Sequence, residues 1–230
     1  NQSEHFDRVR LVDSAINGIM SRLPLISELV NPGSVLVTQA SIPLYPLALP
    51  EELEEYRELL TTENDLETLR ISLVQQISLR FELDIASQEN NPGRQSLSVK
   101  TDPITLYQGE QKPLNQPVDR KGDTLYEDDD LEIIRLYDDP EGRLLFVRNK
   151  TQRYLTLISF GMVKVDGADY SENQPIRLRL APGSVAYHKL FSFLPGVLPD
   201  GGELNFRLSI VDTDENKLFH RTETIALTLY

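Results

Sequence analysis

Three histidines, His5, His188 and His220, are the side chains best suited to bind a metal or move a proton near neutral pH. Their spacing forms neither His-x-x-x-His nor His-Glu-x-x-His, the separations that set two imidazoles around zinc on one helical face. Structural or surface roles are therefore expected for them, with no pocket gathering any one of them beside two carboxylates. Asp212-Thr213-Asp214-Glu215-Asn216 has the Asp-x-Asp-x-Asn opening of a calcium loop. Lys217 stands where such a loop needs glycine, and Thr222 where it needs a bidentate glutamate, so a hairpin turn is the simpler reading. The run Glu127-Asp128-Asp129-Asp130 needs a fold to converge its carboxylates on a cation; as a block of like charges it reads as a solvated loop. Asn149-Lys150-Thr151 fits a glycosylation sequon but reads better as a turn at a strand end. No Gly-x-Ser-x-Gly elbow, phosphate loop or dinucleotide fingerprint occurs. There is no cysteine, so disulfides, thiolate ligands and thiol nucleophiles are excluded. The expectation is a protein that is no enzyme and has no catalytic residue, metal or cofactor.

Bulk properties point the same way. A chain of 230 residues, 40% of them apolar, can build one large or two ordinary cores. The net charge of −13 and the lack of any basic run argue against nucleic acid and anionic membranes as partners. No stretch approaches the 18 or so consecutive apolar residues of a membrane-spanning helix, so no membrane insertion is expected. Asn1 in first place is compatible with removal of a signal peptide or an upstream domain.

The elements that must position any site follow from periodicity. Val9, Val12, Ile16, Ile19, Leu23 and Ile26 recur at helical spacing, yet the segment from Phe6 to Val12 reads equally as a strand. A turn at Asn31-Pro32-Gly33 precedes an expected strand over 34–42, and Pro50 with Glu51 and Glu52 opens an expected short helix over 50–60. From Ile71 to Ile85 every odd position except Gln75 is apolar, which predicts one long strand with seven apolar side chains on one face. Burying such a strip contributes on the order of 10–20 kcal/mol before entropy is subtracted. Residues 87–130 hold four prolines and few apolar patterns, apart from short strands expected near Leu97–Val99 and Ile104–Tyr107. From Leu131 the signals are all β. Strands are expected over 131–137, 144–148, 176–180, 185–193, 204–211 and 218–229, and one or two over 154–165, with turns at Asp138–Gly142, Asp166-Gly167, Pro182-Gly183 and Asp214–Asn216. Leu145, Val147, Leu155 and Leu157 should face the core. The predicted fold is mainly β with minor α. It comprises an N-terminal α+β region over 1–86, an irregular insertion or linker over 87–130, and an immunoglobulin-like antiparallel β-sandwich over 131–230.

The segment Leu145-Phe146-Val147-Arg148-Asn149-Lys150-Thr151-Gln152-Arg153-Tyr154-Leu155-Thr156-Leu157, with Leu180-Ala181-Pro182-Gly183-Ser184 and Ile210-Val211-Asp212-Thr213-Asp214, resembles the C-terminal domain of periplasmic pilus-assembly chaperones of the chaperone–usher pathway. The likeness covers residues 143–229. Upstream, Tyr56-Arg57-Glu58-Leu59-Leu60 and Leu69-Arg70-Ile71-Ser72-Leu73 are similar to the end of that family's first domain, where an alternating strand is lent to a fibre subunit. The resemblance implies a periplasmic or secreted accessory protein that binds a fibre subunit or assembly component by strand addition. It also implies a basic cleft residue on the first strand, for which Arg8 is the candidate. The partner-binding set is then Ile71, Leu73, Ile77, Leu79, Phe81 and Arg8; the competing reading is that the apolar strip covers the chain's own core. A structural subunit of a virion or fibre, built on a β-sandwich, is the alternative.

Overall fold

The computed structural model describes residues 7–21, 27–31, 34–35, 37, 69–85, 97–109, 116–138, 143–160, 163–170, 177–190 and 202–228. Among them every element is a β-strand, all pairings given below are antiparallel, and no helix is long and apolar enough to cross a membrane. The described residues fall into two compact units, 7–109 and 116–228.

The first unit is built on β1 (Asp7–Ile16), β2 (Ile19–Ser21), β3 (Ser27–Val30), β4 (Gln76–Ile85), β5 (Leu97–Lys100) and β6 (Ile104–Tyr107). β1 and β4 pair along their whole length, with a bulge between Leu11 and Asp13. Of the two readings open for the N-terminal segment, the strand is therefore realised, because β4 supplies a partner at every position of it except Val12, at the bulge. β3 and β2 bond the far edge of β1, and β5 and β6 bond the far edge of β4. Asn17-Gly18 closes the β1–β2 hairpin with both residues at positive φ (51° and 77°), the conformation that favours this dipeptide.

Asn17 also corrects the expected start of the long strand. Its Nδ2 donates to the Leu73 carbonyl (2.7 Å), and its Oδ1 accepts the N–H groups of Gln75 (2.8 Å) and Gln76 (3.0 Å). That side chain occupies the backbone groups a strand over 71–75 would use, so β4 begins at Gln76 rather than Ile71. Residues Ser34, Val35 and Val37 lie outside any strand, against the expectation for that segment, and both valines are exposed. The rest of that segment, the expected helix over 50–60 and His5 lie outside the described residues.

The second unit holds three sheets. The first runs β7 (Gly122–Glu127), β8 (Leu131–Leu136), β9 (Leu144–Asn149), β14 (Val185–Lys189). The second is ordered β13 (Arg177–Leu180), β10 (Leu155–Ser159), β16 (Leu208–Asp212), β17 (Lys217–Arg221). The third is ordered β12 (Ala168–Tyr170), β11 (Val163–Val165), β15 (Glu203–Phe206), β18 (Ile225–Thr228). The core comprises Phe146, Leu131, Ile133, Leu136, Leu155, Leu157, Leu180 and Leu204, all essentially free of solvent contact. Leu145, Val147, Leu155 and Leu157 are buried as expected. Over the described residues the fold is all-β and sandwich-like.

Two expected strands prove to be pairs of strands. The 204–211 segment breaks at Arg207 and the 218–229 segment at 222–224, and each break moves the chain from one sheet to another. Thr222 holds the crossing: its N–H donates to the Leu208 carbonyl and its Oγ1 accepts the Leu208 N–H, both at 2.9 Å. Apolar alternation continues unbroken through Leu204, Phe206, Leu208 and Ile210, all buried, which is why the break is invisible to periodicity.

Candidate functional site

The expected partner strip is only partly assembled. On β4, Ile77, Leu79, Phe81 and Leu83 share one face and are half-buried. Cross-strand partners lie on the same face of a sheet, so that face continues through Ile16, Leu11 and Val9 on β1. On the other side it continues through Leu106 and Ile104 on β6 and Val99 on β5. Ile71 and Leu73 precede the strand; Ile71 is buried and Leu73 is exposed. Arg8 pairs with Asp84, an even position, so it lies on the opposite face and does not join the strip. That opposite face is a polar ladder. Arg10 lies 3.0 Å from Glu82 and 2.9 Å from Asp84, and Arg80 Nη1 lies 3.6 Å from buried Asp13. Because β4 is bonded on both edges, its backbone is committed within the chain and is not open for lending to a partner. The large exposed apolar residues sit one strand further out, at Ile104 (50% exposed), Leu106 (55%) and Val99 (44%). The alternation of Ile104 and Leu106 was the available signal for them; what it does not carry is that β6 lies outermost.

In the second unit a different cluster appears where none was expected. Asp128 occupies the turn between β7 and β8. Its Oδ1 accepts the N–H groups of Asp130 (2.9 Å) and Leu131 (2.7 Å), so the carboxylate forms the turn itself. Its Oδ2 accepts the Tyr126 hydroxyl at 2.5 Å and lies 3.0 Å from His220 Nε2. His220 Nδ1 is 3.8 Å from Asp130 Oδ2. Lys150 reaches the same turn through Glu127 (3.2 Å) and the Asp128 carbonyl. Burial alone would push the Asp128 carboxyl up. The hydrogen bonds from Tyr126, Leu131 and Asp130 and the nearby His220 outweigh it and hold the group below its ordinary value of 3.8. Tyr126 is driven far above its ordinary value of 10.0, first by burial, then by its bond to Asp128 and the surrounding acidic charge.

This overturns the expectation that no histidine would meet two carboxylates: ligand atoms of Asp128, Asp130 and His220 all lie within 4.8 Å of one another. It also corrects the reading of the whole acidic run as solvated, since Asp128 and Asp130 are half-buried while Glu127 and Asp129 are exposed. An imidazole with two carboxylates is a donor set that divalent transition ions accept. Here the same groups also clasp the turn to β17, which accounts for the arrangement by itself. His188 is buried on β14 opposite Leu145, away from any such cluster among the described residues. The Asp212 segment is the expected hairpin turn. Asp212 Oδ1 accepts the N–H groups of Asp214 and Glu215 at 3.0 Å each, and Arg153 holds the other oxygen at 2.9 Å. Asn149 is likewise a turn residue. Its Nδ2 donates to the carbonyls of Arg153 and Ala181, and its Oδ1 accepts from Thr151, so the sequon side chain is fully used and buried.

Compared with protein-family models, with curated proteins and with solved structures, the chain matches none.

Proposed function

We propose that the chain is a non-enzymatic protein-binding factor that serves the assembly of a surface fibre or secretion machine and meets its partner at the outer strands of the first unit. The observation that carries this reading is the exposure of Val99, Ile104 and Leu106 on β5 and β6, continuous with the half-buried apolar face of β4. An apolar rim on an outer strand is a liability unless a partner covers it. Among the described residues no strand bonds the far edge of β6, so an extended segment with alternating apolar side chains fits there by strand addition. In this reading the chain accepts a strand rather than lending β4. The immunoglobulin-like form of the second unit, the likeness to chaperone–usher chaperones and a periplasmic or secreted setting belong to the same proposal and rest on the residues quoted above. If the occupant is a second copy, the protein is instead a fibre or virion subunit.

A photo-crosslinking residue at position 106 tests the proposal in the source cells, with position 29 as control. Leu29 is 60% exposed but pairs with Arg8, on the polar face of the sheet. Crosslinking at 106 and not at 29 to a discrete second protein is the expected result. Self-crosslinking with a higher oligomer by native mass supports the subunit alternative. Equal crosslinking at both positions defeats the docking edge.

A further inference from the structure

The sheet ordered β13-β10-β16-β17 has one face turned to the core, where Leu155, Leu157, Leu178, Leu180, Leu208 and Ile210 are buried. Its other face follows from register. Arg177 pairs with Ile158, Ile158 with Ser209 and Ser209 with Arg221, so these four side chains form one row across the sheet. Arg179 lies two residues along from Arg177 and shares that face. At the end of β10, the Phe160 N–H donates to the Arg207 carbonyl (3.0 Å), placing the two residues side by side. The Arg207 guanidinium carbon is 4.8 Å from the Phe160 ring centroid and that of Arg221 is 5.0 Å away. The two cations are therefore no more than about 10 Å apart. Both arginines are exposed, and among the described residues neither has a carboxylate partner. The only carboxylate within these four strands, Asp212, pairs with inward-facing Leu155 and is held by Arg153.

This is an arginine face on a chain with 36 acidic and 23 basic residues. Carboxylates are abundant in the chain, yet none in this sheet neutralises Arg207 or Arg221. Contact with the Phe160 ring restrains each guanidinium, and a guanidinium fork grips a carboxylate through two parallel N–H bonds. Nucleic acid fits less well. The chain's net charge opposes a polyanion, and the aromatic ring that a base would stack on already has two guanidinium groups within 5.0 Å of its centroid.

We propose that the outer face of this sheet docks an acidic segment of a partner protein, with Arg207 and Arg221 gripping carboxylates against Phe160. The proposal is independent of the apolar edge of the first unit and deepens the protein-binding reading by giving a second contact its chemistry.

Fluorescence anisotropy of a labelled oligoglutamate peptide at low ionic strength tests it on the whole chain. Binding to the wild type and a loss of about tenfold or more in R207A/R221A is expected, with an unchanged melt confirming that the variant is folded. The R207K/R221K variant keeps the charge and loses the fork, so it should recover little of the affinity; full recovery overturns the grip. Tighter binding of an oligothymidylate of equal charge, or binding that ignores both variants, overturns the proposal. The L106D variant should leave peptide binding unchanged, which separates a failure here from a failure of the apolar edge.

Discussion

In β8, all six residues from Leu131 to Leu136 are buried, Glu132 and Arg135 among them, whereas over Gln76–Asp84 of β4 only Arg80 is buried and the apolar side chains are half-covered. Their patterns would suggest the reverse. β4 alternates apolar and polar positions without a fault, and β8 places charges inside an apolar run. Alternation tells which side chains share a face; it does not tell how much material lies over that face. The charges in β8 are tolerated because each is paired. Arg120 meets Glu132, and Arg135 meets both Asp123 and the Thr228 carbonyl of β18.

The largest effect should come from placing a charge in each strand. Ile133→Asp buries an unpaired carboxylate and should cost more than about 3 kcal/mol, enough to unfold the second unit, while Leu79→Asp on a half-covered face should cost about 1–2 kcal/mol. Thermal melts of the two variants decide the matter, and equal losses would break the contrast. Next is Gly122→Ala on β7. A Cβ there would run into the backbone carbonyl of Arg135, which cannot move aside as a side chain could. A loss of about 1–3 kcal/mol in urea titrations is expected, sharpening the case that β7 and β8 are closely packed.

A smaller effect concerns pH. Asp123, Asp128 and Asp212 all have carboxyls held below 3.8 in the folded chain. A depressed native value stabilises the fold above the unfolded value and is lost as pH falls through the native one, so stability should decline below pH 3.8. Asp128→Asn should flatten part of that decline in acid melts. At the other end, Tyr126 is held above 10.0, so its contribution is complete below that pH and disappears as pH rises beyond it. Ultraviolet titration should find a late-ionising tyrosine that is lost in Tyr126→Phe. The smallest change in the isolated protein should be Leu106→Asp on β6, within about 0.5 kcal/mol by melt, because its side chain is 55% exposed. Loss of crosslinked partner without loss of stability would sharpen the difference between a strand that holds the fold and one that offers an edge.

Much of the fold was legible in the residues. The turns at Asp166-Gly167, Pro182-Gly183 and Asp214–Asn216 lie where glycine, proline and short polar side chains require them. The inward set Leu145, Val147, Leu155 and Leu157 followed from alternation, because burial of one sheet face imposes a period of two. Less of the candidate sites was legible. Asp128 and His220 are 92 positions apart, and no local period links a turn residue to a strand residue at that distance. The start of β4 depended on Asn17, 58 positions before Gln75, capturing the backbone there.

Composition and local pattern determined by themselves that this chain is β-rich, free of thiol chemistry and acidic, since propensity, turn chemistry and charge act over a few residues. Only the tertiary structure decided that β4 is an interior strand, that β6 is an outer one, that His220 meets Asp128 and that Arg207 and Arg221 flank Phe160. Each of those depends on which distant segments pair, and in a sheet that choice is made by register and coverage rather than by any property of the strand alone.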